Sequence, residues 1–466
     1  MKIFLKYLIG LLVFVLSYQN HFAQSDSVIY TYDEFIYNIE NYHPIAKQAA
    51  LKIDFGRAKL LEAKGNFDPE LNSDWSEKQF DDKLYYRKYG TNLSIPTPIG
   101  LKFDFGYSNT TGEFVNPENN TDPFGLWNIG IELDILQGLI INERSAALKQ
   151  ARIFQDLAVN EQKIILNELI YNASYAYLQW KLYHNFKSVL QENLELAQEY
   201  YSSTKASFFG GEKTAIDTLE AYIIFQDASI SLNKNNIELI KSKLYMENFL
   251  WYQDTAIALN ELAQPEPYNE RFGPLSINWL DTAAIANNPI ILASMNKLSM
   301  LEIEQRLKRD KLKPKLKLKY NPLLNTTDNV APNFSADNFA WGFAFSMPLF
   351  LRSERAAVQQ TNIKIQDLQL NIDNKLNELE NKVENSWQQQ FQLQQQLLLS
   401  TQNVDNYRRL LEGENTKFLF GESSVFLLNK RQEKYIAARL KLAELQIKQE
   451  IERLNYLYYT NQLLTN

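Results

Sequence analysis

Two hydrophobic periods take turns along this chain. The first is strict alternation. In Phe339–Met347, Phe339, Trp341, Phe343, Phe345 and Met347 point one way, and Ala340, Gly342, Ala344 and Ser346 the other. That is a strand with one large apolar face and one face of very small residues. Pro348 ends its ladder, having no N–H to donate. Ser353 is placed to cap a helix that follows at once, with Glu354 in its first turn. Leu101, Phe103, Phe105 and Tyr107 alternate with Lys102, Asp104, Gly106 and Ser108; Trp127, Ile129, Ile131, Leu133 and Ile135 alternate with Asn128, Gly130, Glu132 and Asp134. Leu71–Trp75 and Leu93–Ile95 are weaker versions. Thr110–Gly125 is loop chemistry, rich in Asn, Pro, Gly and Asp. A soluble sheet with one wet face and a transmembrane barrel strand explain this alternation equally well.

The second period is helical. Ile29–Gly65 reads as helix, with Asp33 as its cap and a break or kink at Pro44. Gly138–Phe208 is helical and contains no proline. A helix of about 70 residues would be about 105 Å long and needs coiled-coil-like support from neighbours. Paired glycines at Phe208-Phe-Gly-Gly-Glu212 predict a turn. Lys213–Leu250 is helical again, completing a long antiparallel hairpin. Tyr252–Asn278, with Pro265, Pro267, Gly273 and Pro274, reads as a linker. A second long helix is expected over Ser353–Phe418, where Ile365, Leu368, Ile372, Leu376, Leu379, Val383, Trp387 and Phe391 recur at gaps of three and four. It shows no stop signal before Gly413 or Phe420–Gly421. The glutamine-rich run Gln388–Gln396 keeps that spacing and reads as a wet helix face. A last helix is expected over Ser424–Tyr459.

The order of elements repeats. Asn288-Pro289 echoes His43-Pro44, and Pro314-Lys-Leu316 echoes Pro69-Glu-Leu71. Glu143-Arg144-Ser-Ala-Ala matches Glu354-Arg355-Ala-Ala-Val, and Phe209-Gly-Gly-Glu212 matches Leu419-Phe-Gly-Glu422. The last two matches share an offset of about 210 residues, so the chain carries duplicated domains rather than short solenoid units. The expected division is a signal peptide at 1–23; a first repeat at 24–250, with a helix, strands within about 69–136 and a helical hairpin at 138–250; a linker at 251–278; and a second repeat at 279–466, with a helix, strands within about 315–348 and a hairpin at 353–460.

Composition narrows the function. Lys2 and Lys6 precede the short apolar run Tyr7–Tyr18, and Ala23 offers a cleavage site, as in a secretory signal. The mature chain has no apolar run long enough for a transmembrane helix. The net charge of −7 and scattered basic residues argue against nucleic-acid binding. The chain has no cysteine and three histidines, and no nucleotide-binding loop, nucleophile elbow or metalloprotease motif. No enzyme, cofactor or metal site is expected. His43 and His184 read as loop or helix-face residues, Asp81-Asp82 as solvated loop, and Tyr175, Tyr177 and Trp180 as packing.

The order of signal peptide, helix, strands, long helical hairpin and linker, followed by the same again, resembles the TolC-like family of outer-membrane efflux proteins, the outer membrane factors. Met347-Pro-Leu-Phe350 leading to Arg355 adds to the likeness, which covers essentially the whole mature chain. Gly211-Glu-Lys-Thr214-Ala-Ile-Asp217-Thr-Leu-Glu-Ala221 is similar to that family's tip signature G-x-x-T-x-x-D-x-x-x-A. The second tip keeps Gly421 and Ser424 but has Leu427 where the aspartate is expected. Leu136-Gln-Gly also replaces Pro-Leu-Phe at the first strand-to-helix turn.

The resemblance implies a mainly α fold with a β-barrel portion, built from a duplicated strand and long-helix-hairpin repeat. It implies a homotrimeric outer-membrane barrel continuing into a periplasmic α-helical tunnel, each protomer giving four strands, with the linker on the tunnel's waist. The function implied is export of small molecules or polypeptides, with a periplasmic adaptor (membrane fusion) protein and an inner-membrane pump as partners. Gly210, Gly211, Glu212, Thr214 and Asp217 would form one periplasmic tip and gate, Gly421, Glu422 and Ser424 the other. Phe103, Phe105, Ile129, Ile131, Trp341 and Phe343, which share the apolar sides of their strands, would face outer-membrane lipid. The alternative is a periplasmic coiled-coil scaffold with a soluble sheet domain.

Overall fold

The computed structural model describes residues 28–268, 285–325 and 333–464. The expected signal peptide and residues 269–278 of the expected linker lie outside them. The chain divides into two compact units. One gathers Met1–Lys47, Asn167–Leu280 and Lys382–Asn466; the other gathers Gln48–Leu166 and Asp281–Asn381.

The first unit is helical, with a small parallel ribbon. Strand β1 (Val28–Tyr30) precedes helix α1 (Tyr32–Tyr42). The cap of α1 is Thr31, not the expected Asp33. Thr31 is extended, its hydroxyl accepts from Glu34 N at 3.2 Å, and its own N–H donates to Glu34 Oε2 at 3.0 Å. This reciprocal box leaves Asp33 inside the first turn. The helical stretch expected over 29–65 breaks at Pro44 as expected, and its first residues are strand instead of helix. His43 is extended because Pro44 follows it, and α2 (Pro44–Gly65) starts afresh.

Two further helices, α3 (Glu143–Phe209) and α4 (Ala215–Glu247), form the first hairpin. Helix α3 begins at Glu143 rather than near Gly138, because Asn142 Oδ1 accepts from Ser145 N at 2.8 Å and caps it there. With 67 residues it extends about 100 Å. The described part of the linker is structured. Strands β6 (Trp251–Tyr252) and β7 (Thr255–Ala256) pair with each other, and β8 (Ala263–Pro265) pairs in parallel with β1. The 2.9 Å bond from Tyr177 Oη to Tyr30 O and the 3.2 Å bond from Glu266 N to Tyr177 Oη tie both strands of that ribbon to α3. The core here is aromatic: Tyr177 stacks on Phe35 with centroids 5.6 Å apart and meets Trp180 edge-on at 5.7 Å, all three fully buried.

The second repeat supplies α5 (Pro289–Asp310), strands β9 (Lys315–Asn325) and β10 (Asn333–Ser346), α6 (Arg352–Leu419) and α7 (Val425–Tyr459). Ser353 lies inside α6 rather than capping it, and the helix runs straight through Gly413. In the second unit α2 lies close on α3: a Cβ on Gly56 would come within 3.0 Å of Ala158 Cβ. Side-chain bonds join α3 to α5 (Gln150 to Met300 O, 3.0 Å) and α5 to α6 (Gln305 to Asn362, 2.6 Å).

The sheet belongs wholly to this second unit. Its first-repeat strands are β2 (Glu70–Phe80), β3 (Lys83–Pro96), β4 (Leu101–Thr111) and β5 (Leu126–Asp134). The six strands lie in the order β10-β9-β5-β4-β3-β2, every neighbour antiparallel. The sheet of one chain thus has six strands, where the family resemblance implies four per chain in a shared barrel. Asp81 and Asp82, expected as plain loop, both have positive φ (53° and 56°) and make the two-residue turn that twisted hairpins favour.

His43 gives this fold a pH dependence. Its ring lies between Phe249 and Trp251, its Nδ1 accepts from Ile45 N at 3.2 Å, and burial lowers its pKa. The fold prefers the neutral ring, so this stabilisation is complete above the unfolded value of about 6.5 and is lost as pH falls toward the depressed folded value. Burial lowers His184 in the same sense. We expect hydrogen-exchange protection of α1 to fall as pH drops below about 6.5, and His43→Asn to flatten most of that dependence.

Candidate functional site

Register places all six expected lipid-facing residues on one side of the sheet. Trp341 pairs with Tyr320, Tyr320 with Ile131, Ile131 with Phe103, and Phe103 with Ile95. Phe343, Ile129 and Phe105 stand on the same side, because strand side chains repeat every second residue. Leu71, Trp75, Tyr89, Leu93, Tyr107, Trp127, Leu318 and Phe345 join them. The face is not a core: Trp341 is 63% exposed, Phe343 67% and Phe105 41%. An apolar face six strands wide and open on the outside calls for an apolar medium or partner.

The band crosses the strands obliquely. Take the row Trp341–Tyr320–Ile131–Phe103–Ile95 as level, and call the Asp81-Asp82 end up. On β10 the apolar side runs from Phe334, four residues up opposite Leu324, to Phe345, four down. On β5 it runs from Trp127, four up, to Leu133, two down. On β3 it runs from Tyr89, six up, to Ile95 itself. The centre climbs by somewhat under one residue per strand, about 2.6 Å for each 4.8 Å spacing, which is a tilt of about 30°. Strands in barrels tilt slightly more, by about 35–45°. Tyr89, Tyr107 and Trp127 follow the climb along the upper edge, as an aromatic girdle does. Above them Arg87 and Glu77, paired at 2.8 Å, are the first charges on that side.

The other side is polar. Glu132 accepts from Lys317 at 2.7 Å and Lys319 at 3.0 Å; Asp104 accepts from Ser94 at 2.7 Å and Asn92 at 3.2 Å. At the strands' lower ends this side opens into a cleft of about 720 Å³ lined by Lys102, Asp134, Arg144, Lys311 and Glu354 among others. There Gly138 N donates to the buried Asp310 carboxylate at 2.7 Å. Charges of both signs alternate round the cleft, which suits water rather than one ion.

The two helix tips, both in the first unit, close in the same way. At the first, Gly211 N donates to Phe208 O at 3.0 Å and Glu212 N to Ser207 O at 2.9 Å; at the second, Gly421 N donates to Phe418 O at 3.0 Å and Glu422 N to Lys417 O at 2.9 Å. Gly211 (φ 81°) and Gly421 (φ 74°) are left-handed, which is why glycine stands at both. Gly210 is not left-handed, so one glycine of the expected pair does the turning. The caps then differ. Thr214 accepts from Asp217 N at 3.2 Å, while its N–H and hydroxyl both donate to Asp217 Oδ2 at 2.8 Å. These bonds lower the Asp217 pKa and keep the carboxylate charged. Ser424 accepts from Leu427 N at 3.3 Å with no return bond. Lys213 of the first tip lies 5.1 Å over the Phe418 ring of the second. The β2–β3 hairpin is the part of the sheet that sequence reasoning undervalued. The Asp-Asp pair between two weakly alternating runs was the available signal.

No family model and no curated protein matches the chain. Solved structures do. The chain resembles the CmeC outer membrane channel of Campylobacter jejuni at 12% identity and a TM-score of 0.67, over 92% of this chain and 84% of that one. It resembles the outer-membrane channel OprN at 12% identity and a TM-score of 0.68, over 92% and 89%. It resembles the outer membrane protein VceC of Vibrio cholerae at 12% identity and a TM-score of 0.64, over 92% and 95%. What the likeness shows is the fold: long helical hairpins joined to a strand region, as in these outer-membrane channels. It is the TolC-like architecture.

Two outcomes are expected. Ile131→Arg, at the middle of the apolar band, should cost about 2–4 kcal/mol of sheet stability, against about 0–1 kcal/mol for arginine near the band's edge. Urea titration of folded protein in detergent or bilayer measures both. Gly421→Ala should destabilise the second tip by about 1–2 kcal/mol, because its φ is left-handed; exchange rates of the Gly421–Leu428 amides report it.

Proposed function

We propose that this chain is one subunit of a homotrimeric outer-membrane channel that exports small molecules or polypeptides from periplasm to exterior. The observation that carries the reading is the oblique apolar band on an open sheet. A soluble sheet covers such a face; here it stays exposed, and its slope is close to that of tilted barrel strands. The sheet's two edges cannot remain unpaired in lipid. In this reading the polar side of the sheet lines the water path. The helix tips narrow its periplasmic end and meet an adaptor protein that connects to an inner-membrane pump. The likeness to outer-membrane channels supports the same assignment.

In this channel Asp217, one per chain, forms an acidic ring at the inner mouth. Asp217 is half-exposed, and only its Oδ2 is engaged by Thr214. Leu427 at the matching site of the second tip limits the ring to three carboxylates. Such rings attract cations.

The mature protein should fractionate with outer membranes and show a native mass in detergent of three chains; a folded single chain in the soluble periplasmic fraction would sink the reading. Asp217→Asn should lower cation preference and weaken block by multivalent cations in planar bilayers, with assembly intact. Unchanged selectivity and block would reduce Asp217 to its capping role.

A further inference from the structure

We infer that the barrel of this channel has eighteen strands, six from each of three chains, closed by pairing β2 of one chain with β10 of the next. The inference rests on the trimeric-channel reading for the number three. The six strands and the identity of the seam come from the sheet itself.

Three observations place β2 and β3 within the barrel wall. First, β3 is laddered to β4 over ten consecutive residue pairs, from Arg87–Thr111 to Pro96–Lys102, with no break in register. Second, the climb of the apolar band continues onto the hairpin. Tyr89 and Leu93 carry it on β3. On β2 Leu71 and Trp75, 67% and 64% exposed, stand opposite Leu93 and Tyr89. Third, the polar side climbs in the same direction, though more steeply. Its glycines step up by two residues per strand, from Gly130 on β5 to Gly106 on β4 and Gly90 on β3. A hairpin folded away into solvent has no reason to continue either line.

The edges then fit each other. β2 runs up from the helices and β10 runs down into them, so β2 of one copy meets β10 of the next antiparallel, like every other pair in the sheet. Both are long, eleven and fourteen residues. β10 presents Phe339, Trp341, Phe343 and Phe345 on the apolar side up to the very edge, and among the described residues of one chain neither outer edge has a ladder partner. An exposed edge of this kind is otherwise an aggregation site. For strands spaced about 4.8 Å and tilted about 35°, eighteen strands give a backbone diameter of about 34 Å and twelve about 23 Å. The extra hairpin therefore widens the outer mouth by about half.

The chain contains no cysteine, so engineered thiols report unambiguously. Asn72→Cys, Asp74→Cys or Ser76→Cys on β2 would be combined with Ala340→Cys, Gly342→Cys or Ala344→Cys on β10. The full chain would be oxidised in outer membranes and run on non-reducing gels. At least one combination should link copies into dimers and trimers that a reductant releases. Trimers linked instead through Ser108→Cys on β4 and the β10 thiols would overturn the eighteen-strand wall in favour of a four-strand stave, leaving the trimeric channel standing. A native trimer in which no β2–β10 combination links would overturn the seam. A native mass of one chain would remove the trimer and the inference with it.

Discussion

The ladder between β5 and β9 is the interaction on which this structure depends. Among the described residues it is the only place where strands of the first repeat meet strands of the second. Without it the chain would hold a four-strand meander and a separate hairpin, each with its own two open edges. With it, Ile131 and Leu133 continue into Tyr320 and Leu318 on the apolar side, and Glu132 holds Lys317 and Lys319 on the polar side. Those ion pairs are half in water, so their contribution is modest. Their use is register. A slip of one residue would turn Lys317 and Lys319 to the apolar side and Leu318 to the wet one.

Much of this was legible in the residues. The β4, β5 and β10 alternations are uninterrupted, and each became a strand with its apolar residues on one shared, exposed face. The hairpin β2–β3 was harder to read for a physical reason. The apolar band enters it obliquely, so only Leu71 and Trp75 on β2 fall inside the band, while Ser73, Glu77 and Gln79 share their side. A strand only partly in the apolar zone alternates only in part. Helix starts were misplaced by a few residues where more than one residue could cap. Thr31 competed with Asp33, and Asn142 caps α3 four residues beyond Gly138; each of the two caps takes part in bonds in both directions. What no single sequence shows is the pairing of β5 with β9, because contact across that span leaves no local signature.

The tips illustrate how a duplicated chain diverges. Both keep the glycine, since nothing else adopts that backbone cheaply, and both keep a hydroxyl cap. The reciprocal acid survives on one side only. Where Leu427 replaced it, Ser423 turns to Glu414 at 2.6 Å, and Arg431 approaches the same carboxylate at 3.4 Å. The second tip is thus stabilised by a bond back to its own α6 helix rather than by its own first turn, and it exposes one carboxylate fewer at that position.

The β5–β9 ladder also sets an order of events during folding. Its partners are far apart in sequence: Leu126 pairs with Asn325, and Asp134 with Lys317. Loops of that span close late, whereas hairpins close in about 1–10 μs. The meander β2 to β5 is local and can form soon after it is made. It then waits, with its β5 edge open, until β9 arrives about 180 residues further along the chain. A meander in that state exposes an apolar face together with a row of unpaired strand groups. The interval between the two closures is therefore when this chain is most prone to aggregate, and its length is set by the span from Asp134 to Lys315.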